Sequence, residues 1–400
     1  MKLKIEKAVY GGYGLARGGD GGVVLVRGAL PGEVVDADVV ARKKDYAVAR
    51  TAAVAEPSPH RVAPACAAHG ACGGCRLQHA DYPCQLEMKA SALADVLRRI
   101  ARIATGPPAI RPSDPFRYRH RGRFQADAGG VGFFAEGSHR IVPIDACSLM
   151  VDGINGLLGA CRDAAALGRA AGFVVASDGE RTVAQFAGTA YDDRIAGLLR
   201  EAGAAGAVFR DRAWGRCGLD FRLGGFVYGV SPGSFFQANW KLNLELIERV
   251  VTLVAEGADG RVLDLYAGAG NFTLPLSARS AEVVAVEEGG DAVRDLRRNV
   301  ARNRIGNVKA VRARIERFRP SGRFDAVVVD PPRTGLSERA VGLLREIGAP
   351  RVLYVSCNPA ALARDLSRLS GAYRIGGIEA YDFFPQTHHV ETLAVLERSQ

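Results

Sequence analysis

A chain of 400 residues with 48% hydrophobic and 24% charged residues has an ordinary globular composition and room for two or three domains. No run of about 18 apolar residues occurs, so no membrane span is expected, and the opening MKLKIEKAVYGG lacks the apolar centre of a secretory signal, which predicts a cytoplasmic protein. The net charge of +10 gathers in two stretches: Arg98 to Arg123 holds eight arginines against one acid, and Arg294 to Arg323 eleven Lys/Arg against two. Such density suits a polyanionic partner, because phosphate contacts supply most nonspecific affinity for nucleic acid.

Residues 1–56 alternate apolar and polar positions between glycine turns (AVYGGYGLAR, GGVVLVRG, EVVDADVVARKKDYAVAR), the pattern of a small β-barrel. TAAVAEPSPHRVAPA, with three prolines, reads as a linker. Cys66, Cys72 and Cys75 follow as C-x5-C-x2-C, with Gly73-Gly74 letting the chain wrap closely round a metal group. In a reducing compartment such cysteines are ligands sooner than disulfides. A fourth ligand must come from elsewhere; Cys147 is preferred and Cys84 is the alternative, and the spacing alone does not separate an iron–sulfur cluster from zinc. A helix is predicted over 85–103. Residues 57–255 as a whole read as an α+β central domain carrying the metal site, with helices over 154–172 and 192–203 among short strands.

From 256 to 400 the pattern changes to apolar strands alternating with helices: RVLDLY, EVVAVE, VKAVRA, DAVVVD, RVLYVSC, YRIGGIEAYD and TLAVLER. Strands apolar on both faces predict a parallel sheet covered by helices, a Rossmann-like doubly wound domain. Its first strand runs into Gly268-Ala269-Gly270-Asn271, and its second ends in Glu287, 21 residues after Tyr266, where an acid can hold both ribose hydroxyls of an adenosine. Thr273 replaces the third small residue of a dinucleotide loop, which disfavours a pyrophosphate cradle.

The fourth strand ends in Asp330-Pro331-Pro332-Arg333 and the fifth in Ser356-Cys357-Asn358-Pro359, both at the carboxyl edge that carries the glycine loop. His388-His389-Val390-Glu391 precedes the last strand. A thiol, a carboxylate and an arginine at one edge suit methylation of a pyrimidine carbon. Carbon 5 of uracil is a poor nucleophile until a thiolate adds to carbon 6 and gives it carbanion character; a base must later take the carbon 5 proton. Cys357 suits the nucleophile, Glu391 the base, and Arg333 the developing enolate oxygen. An exocyclic-amine methyltransferase would need no thiol and would follow Asp-Pro-Pro with an aromatic residue.

SPGSFFQANW, DLYAGAGNF, VVAVE, DPPRTG, SCNP and HVET stand in one order over residues 231–400, and in that order they resemble the RNA uracil-C5 methyltransferase family. The resemblance implies a class I methyltransferase domain that binds S-adenosyl-L-methionine through Gln237, Tyr266, Asn271, Glu287 and Asp330, with Cys357 as nucleophile and Glu391 as base. CGGCRLQH is similar to the members that carry a [4Fe-4S] cluster, whose fourth cysteine precedes Pro-Leu; here Ser148 follows Cys147. GGYGLAR, ALPGE and ARKKDYA look like a TRAM domain, an oligonucleotide-binding-type barrel, with Arg17, Arg42, Lys43, Lys44 and Tyr46 as candidate RNA contacts. The cluster and the barrel together imply 23S ribosomal RNA as substrate in preference to transfer RNA. No obligate protein partner is evident.

Overall fold

A computed structural model describes residues 1–127, 129–167, 172–256 and 260–399. The first six strands, Lys2–Lys4, Lys7–Val9, Tyr13–Arg17, Val23–Arg27, Val34–Arg42 and Tyr46–Glu56, form one six-stranded sheet with its own small core of inward-facing Leu3, Ala16, Val24, Val26, Val35 and Ala49. The first strand also lies against the third, so the sheet curls. The expected linker divides: 51–56 continues the sixth strand, pairing Thr51 with Ala37 and Val54 with Val35, and the irregular chain begins only after Glu56.

A second sheet of seven strands spans residues 121–215, with the helices Asp152–Ala166 and Asp193–Glu201 packed on the face that carries Phe124, Phe173, Val175 and Phe186. The end of the helix predicted over 154–172, at 168–171, lies outside the described residues.

The seven predicted C-terminal strands are present: β1 Arg261–Leu265, β2 Glu282–Glu287, β3 Val308–Arg312, β4 Ala326–Val329, β5 Arg351–Ser356, β6 Tyr373–Tyr381 and β7 Glu391–Arg398. Their order is β3-β2-β1-β4-β5-β7-β6. β1 to β5 are parallel, whereas β7 runs antiparallel between β5 and β6. The sheet is therefore mixed, not wholly parallel: β6 and β7 form a hairpin, and inserting its second strand beside β5 brings the start of β7 to the carboxyl edge.

Packing of this sheet extends well before residue 256. The hairpin Leu219–Leu223/Phe226–Val230 and the helix Trp240–Ala255 share one of its cores. The helix Tyr82–Val96, started by Pro83 and by Asp81 accepting from the Cys84 amide, reaches the other core through Leu93, and the turn after it through Leu97. Lys89 on that helix is buried and its Nζ lies 2.6 Å from Asp382, itself buried just past β6. Ile110–Arg111 adds a short parallel strand beside β6. No helix among the described residues is long and apolar enough to cross a membrane.

Candidate functional site

The carboxyl edge of β1 turns sharply. Tyr266 has φ 63°, a left-handed conformation uncommon outside glycine, and Gly268 and Gly270 follow at φ 56° and 99°. A side chain on Gly270 would collide with Leu274 and Leu296, whereas the space over Gly268 is open. That opening lets a ligand approach the backbone. The loop is held from beneath and from the side. Asn299, fully buried, donates to the carbonyls of Gly229 and Ala269. Asn271 and Asn243 exchange a reciprocal pair of amide hydrogen bonds at 3.1 and 2.8 Å. Glu287 accepts from the amides of Gly268 (3.0 Å) and Gly289 (2.6 Å), so its carboxylate faces the loop.

Asp264 is a site residue that sequence reasoning missed, although an acid inside the apolar strand RVLDL is a readable signal. It is buried under the loop and accepts from the Thr273 hydroxyl at 2.5 Å. Burial, with the charges of Asp330 and Glu287, pushes its carboxyl up to about 7. Thr273, noted only as a departure from a dinucleotide loop, is thus the partner of this acid.

Gln237 lies on the loop between the 219–230 hairpin and the helix Trp240–Ala255. That loop is tied to Asp295 by the hydroxyls of Ser231 and Ser234, and Arg121 donates to the Ser234 carbonyl at 2.6 Å. Gln237 itself borders a small cavity with Phe221, Phe236 and Trp240, and among the described residues no hydrogen bond joins its side chain to the glycine loop. Phe235, also missed, stands 71% exposed beside it.

Ser356 of β5 pairs with Thr392 of β7, which sets Cys357 and Glu391 one step further along the two strands, facing each other as the pairing ends. Cys357 is half-buried and Glu391 buried. Burial first, then the Glu391 and Asp330 charges, push the Cys357 thiol up to about 12, against which Arg333 acts. Burial and Asp330 raise Glu391 well above the usual carboxylate range, and burial pushes Asp330 up to about 7. Three anion-forming groups thus share one recess that has Arg333 at its rim.

Arg333 is placed by its neighbours. Asn358 caps the helix Pro359–Leu369 by accepting from the Ala360 amide, and its Nδ2 donates to the Arg333 carbonyl at 2.8 Å. The Arg333 guanidinium lies 3.2 Å from His389 Nδ1. Burial, then Arg333 and other cations, push His389 down to about 4, so its ring stays neutral and can accept from the arginine. His388, pushed down to about 3 chiefly by burial, packs 4.1 Å away from it, ring centre to ring centre.

Cys66, Cys72, Cys75 and Cys147 occupy one neighbourhood, where the loop of the first three docks on the 130–143 hairpin through a bridge from Cys72 to Ala135. Burial pushes the Cys75 thiol up to about 12, and the charges of Cys147, Cys72 and Cys66 add to the shift. Cys84 lies elsewhere, in a small core with Leu77 and Met88, and its electrostatic neighbours are Asp81, Glu87 and Glu33. Among the described residues no three His, Cys, Asp or Glu side chains converge tightly enough to hold a metal ion. The expected ligand set is thus gathered in one region without converging. The Gly74 amide points at Cys72 Sγ at 3.4 Å, and the donor set, four thiols alone, is of the kind that iron–sulfur clusters take.

Residues 218–399 match the model of the tRNA (Uracil-5-)-methyltransferase family. The chain is 33% identical to the 23S rRNA (uracil(1939)-C(5))-methyltransferase RlmD of Shewanella amazonensis, over 99% of this chain and 95% of the relative. It is 34% identical to the RlmD of Alkalilimnicola ehrlichii, over 100% and 96%. Among solved structures, the tRNA (uracil-54, C5)-methyltransferase of Pyrococcus abyssi in complex with S-adenosyl-L-homocysteine is similar over 99% of this chain and 100% of that one, with 28% identity and a TM-score of 0.80.

Proposed function

The chain belongs to the RNA uracil-C5 methyltransferase family, and on that premise we propose that it methylates carbon 5 of a uridine in 23S ribosomal RNA through a covalent Cys357–C6 adduct. The observation that carries the mechanism is the facing pair of Cys357 and Glu391 at the end of the β5–β7 pairing, beside the glycine loop.

S-adenosyl-L-methionine, when bound, supplies an electrophilic methyl group. Tyr266, Asn271, Glu287 and Asp330 are the residues to hold it, with Gln237 closing from its own loop. The open space over Gly268 and the loop-facing Glu287 carboxylate fit an adenosyl group. The target base leaves its stack to enter the recess. Cys357 loses its proton to solvent and adds to carbon 6 as the thiolate, the C5–C6 double-bond electrons shift toward the C4 oxygen, and Arg333, held by neutral His389, faces that enolate oxygen. Once carbon 5 carries the methyl group, Glu391 takes the carbon 5 proton, the C6–S bond breaks and the thiolate leaves. Glu391 takes that proton only as the carboxylate, and burial gives that carboxylate a higher proton affinity than an exposed one.

Two observations favour ribosomal RNA: relatives named for 23S rRNA span the whole chain, and the cysteine loop is complete. We assign Cys66, Cys72, Cys75 and Cys147 as ligands of a [4Fe-4S] cluster with a structural role, since the reaction has no redox step. Transfer RNA is the second reading, favoured by the fold-wide likeness to the archaeal enzyme. Nucleoside mass spectrometry on separated ribosomal and transfer RNA, from cells with and without the gene, decides. Loss of 5-methyluridine from large-subunit RNA alone supports the proposal, loss from transfer RNA alone transfers the chemistry to the other substrate, and no loss from either rejects both.

A further inference from the structure

The recess at the end of β5 and β7 is not built by the C-terminal sheet alone. The turn after the second N-terminal strand, Tyr10-Gly11-Gly12, reaches it. The Tyr10 ring meets His388 edge-on at 5.9 Å and 76°. Gly12, at φ 74°, lies so close that a side chain there would come within 3.2 Å of His388 Cβ and 3.3 Å of Arg76 Cβ. Arg76 fastens both sides: its guanidinium donates to the Gly11 carbonyl at 2.5 Å, and its amide and that of Leu77 donate to the Gln386 carbonyl. From Tyr10 the contacts run through His388 and His389 to Arg333.

Tyr10 is half-buried, and among the described residues its hydroxyl makes no hydrogen bond. Arg333 and Cys357 are among its electrostatic neighbours: burial raises the phenol, Arg333 lowers it, and Cys357 raises it. The Tyr10 donor, delivered by a different sheet, thus lies near both the proposed nucleophile and the rim arginine.

Building on the proposed uracil chemistry, we infer that the Tyr10 hydroxyl is a second oxyanion donor, hydrogen-bonding the C4 carbonyl oxygen of the flipped uracil as Cys357 adds to carbon 6. The neutral phenol gives its O–H to the oxygen on which enolate charge develops and keeps its proton throughout. Arg333 supplies positive charge to the same oxygen. The N-terminal sheet thereby takes part in the chemistry as well as in holding RNA.

Tyr10→Phe keeps the ring against His388 and removes only the donor. Single-turnover methylation of the RNA substrate, with RNA and donor affinities measured separately, tests the inference. The expected result is a methyl-transfer rate lowered on the order of a hundredfold, typical of losing one oxyanion donor, with both affinities within about threefold of wild type. An unchanged rate overturns the inference. A weakened RNA affinity with an unchanged rate also overturns it, making Tyr10 a docking contact. Wild type run in parallel keeps the two levels apart: turnover in wild type with an unaltered variant removes the role of Tyr10 alone, whereas no 5-methyluridine from wild type removes the uracil chemistry and this inference together.

Discussion

Cys357 and Glu391 face one another across an antiparallel pair, each one residue beyond the last ladder partners, Ser356 and Thr392. This register ties the start and the end of the proposed reaction to one geometric element. Cys357→Ala is expected to abolish methylation, by at least about a thousandfold as is usual for loss of a nucleophile, while a filter-binding assay still finds RNA bound. Turnover retained in that variant rejects the adduct. Glu391→Gln should stall after methyl transfer and accumulate a protein–RNA species on denaturing gels; absence of that species would remove Glu391 as the base.

The Asp264 carboxyl supplies a pH test. It is held near 7 in the fold against about 3.9 in an unfolded chain. A group raised in this way stabilises the fold fully below the unfolded value and loses that contribution as pH climbs through the folded value. Asp264→Asn keeps an acceptor for Thr273 and cannot ionise. Its unfolding temperature should exceed that of wild type at pH 8 and converge with it near pH 4. Parallel curves across that range would show that Asp264 does not carry the shift.

Lys89 and Asp382 form a buried pair between the helix Tyr82–Val96 and the chain just past β6. Removing one member of such a pair leaves an uncompensated buried charge, at a cost of roughly 3–5 kcal/mol. Lys89→Met should lower the urea midpoint accordingly, and adding Asp382→Leu should restore most of the loss. A double variant no better than the single one would show that the charges are not the source.

Protein purified without air should carry iron and sulfide with broad visible absorbance. Cys147→Ser should lose it and Cys84→Ser should retain it, since only Cys147 shares the neighbourhood of the C-x5-C-x2-C loop. Zinc in place of iron, or the opposite ranking of the two variants, overturns the ligand set.

The strands of the C-terminal sheet are legible because most are short apolar runs bounded by turn residues, and the site motifs lie where those runs end. The β5–β7 neighbourhood was not legible: strand order follows from how a hairpin packs, and nothing local in TLAVLER says that it lies beside RVLYVSC. The same holds for Thr51–Glu56, where three prolines just downstream suggested a linker although the partner strand had apolar positions to pair. Tyr10 reads in the sequence as part of a glycine-punctuated strand, because its place depends on a contact with His388 that no spacing encodes. Asp264 is legible as an acid within an apolar strand, a fainter signal than the glycines after it.

The pairing of Lys89 with Asp382 spans 293 residues. A ribosome working from the N-terminus releases the helix at 82–96 long before β6 and the chain past it exist. Until then Leu93 and Leu97 have no sheet to cover, and the Ile110–Arg111 strand has no neighbour. The first sheet, with a core drawn from its own 56 residues, can close early, and the second, with a core drawn from residues 124–209, can close next, both before β6 is made. Nascent chains therefore carry, until β6 is made, a helix whose Cys84 and Met88 side can rest on Ala8 and Leu30 while its Leu93 side stays uncovered, so yield during fast synthesis is expected to be sensitive to temperature.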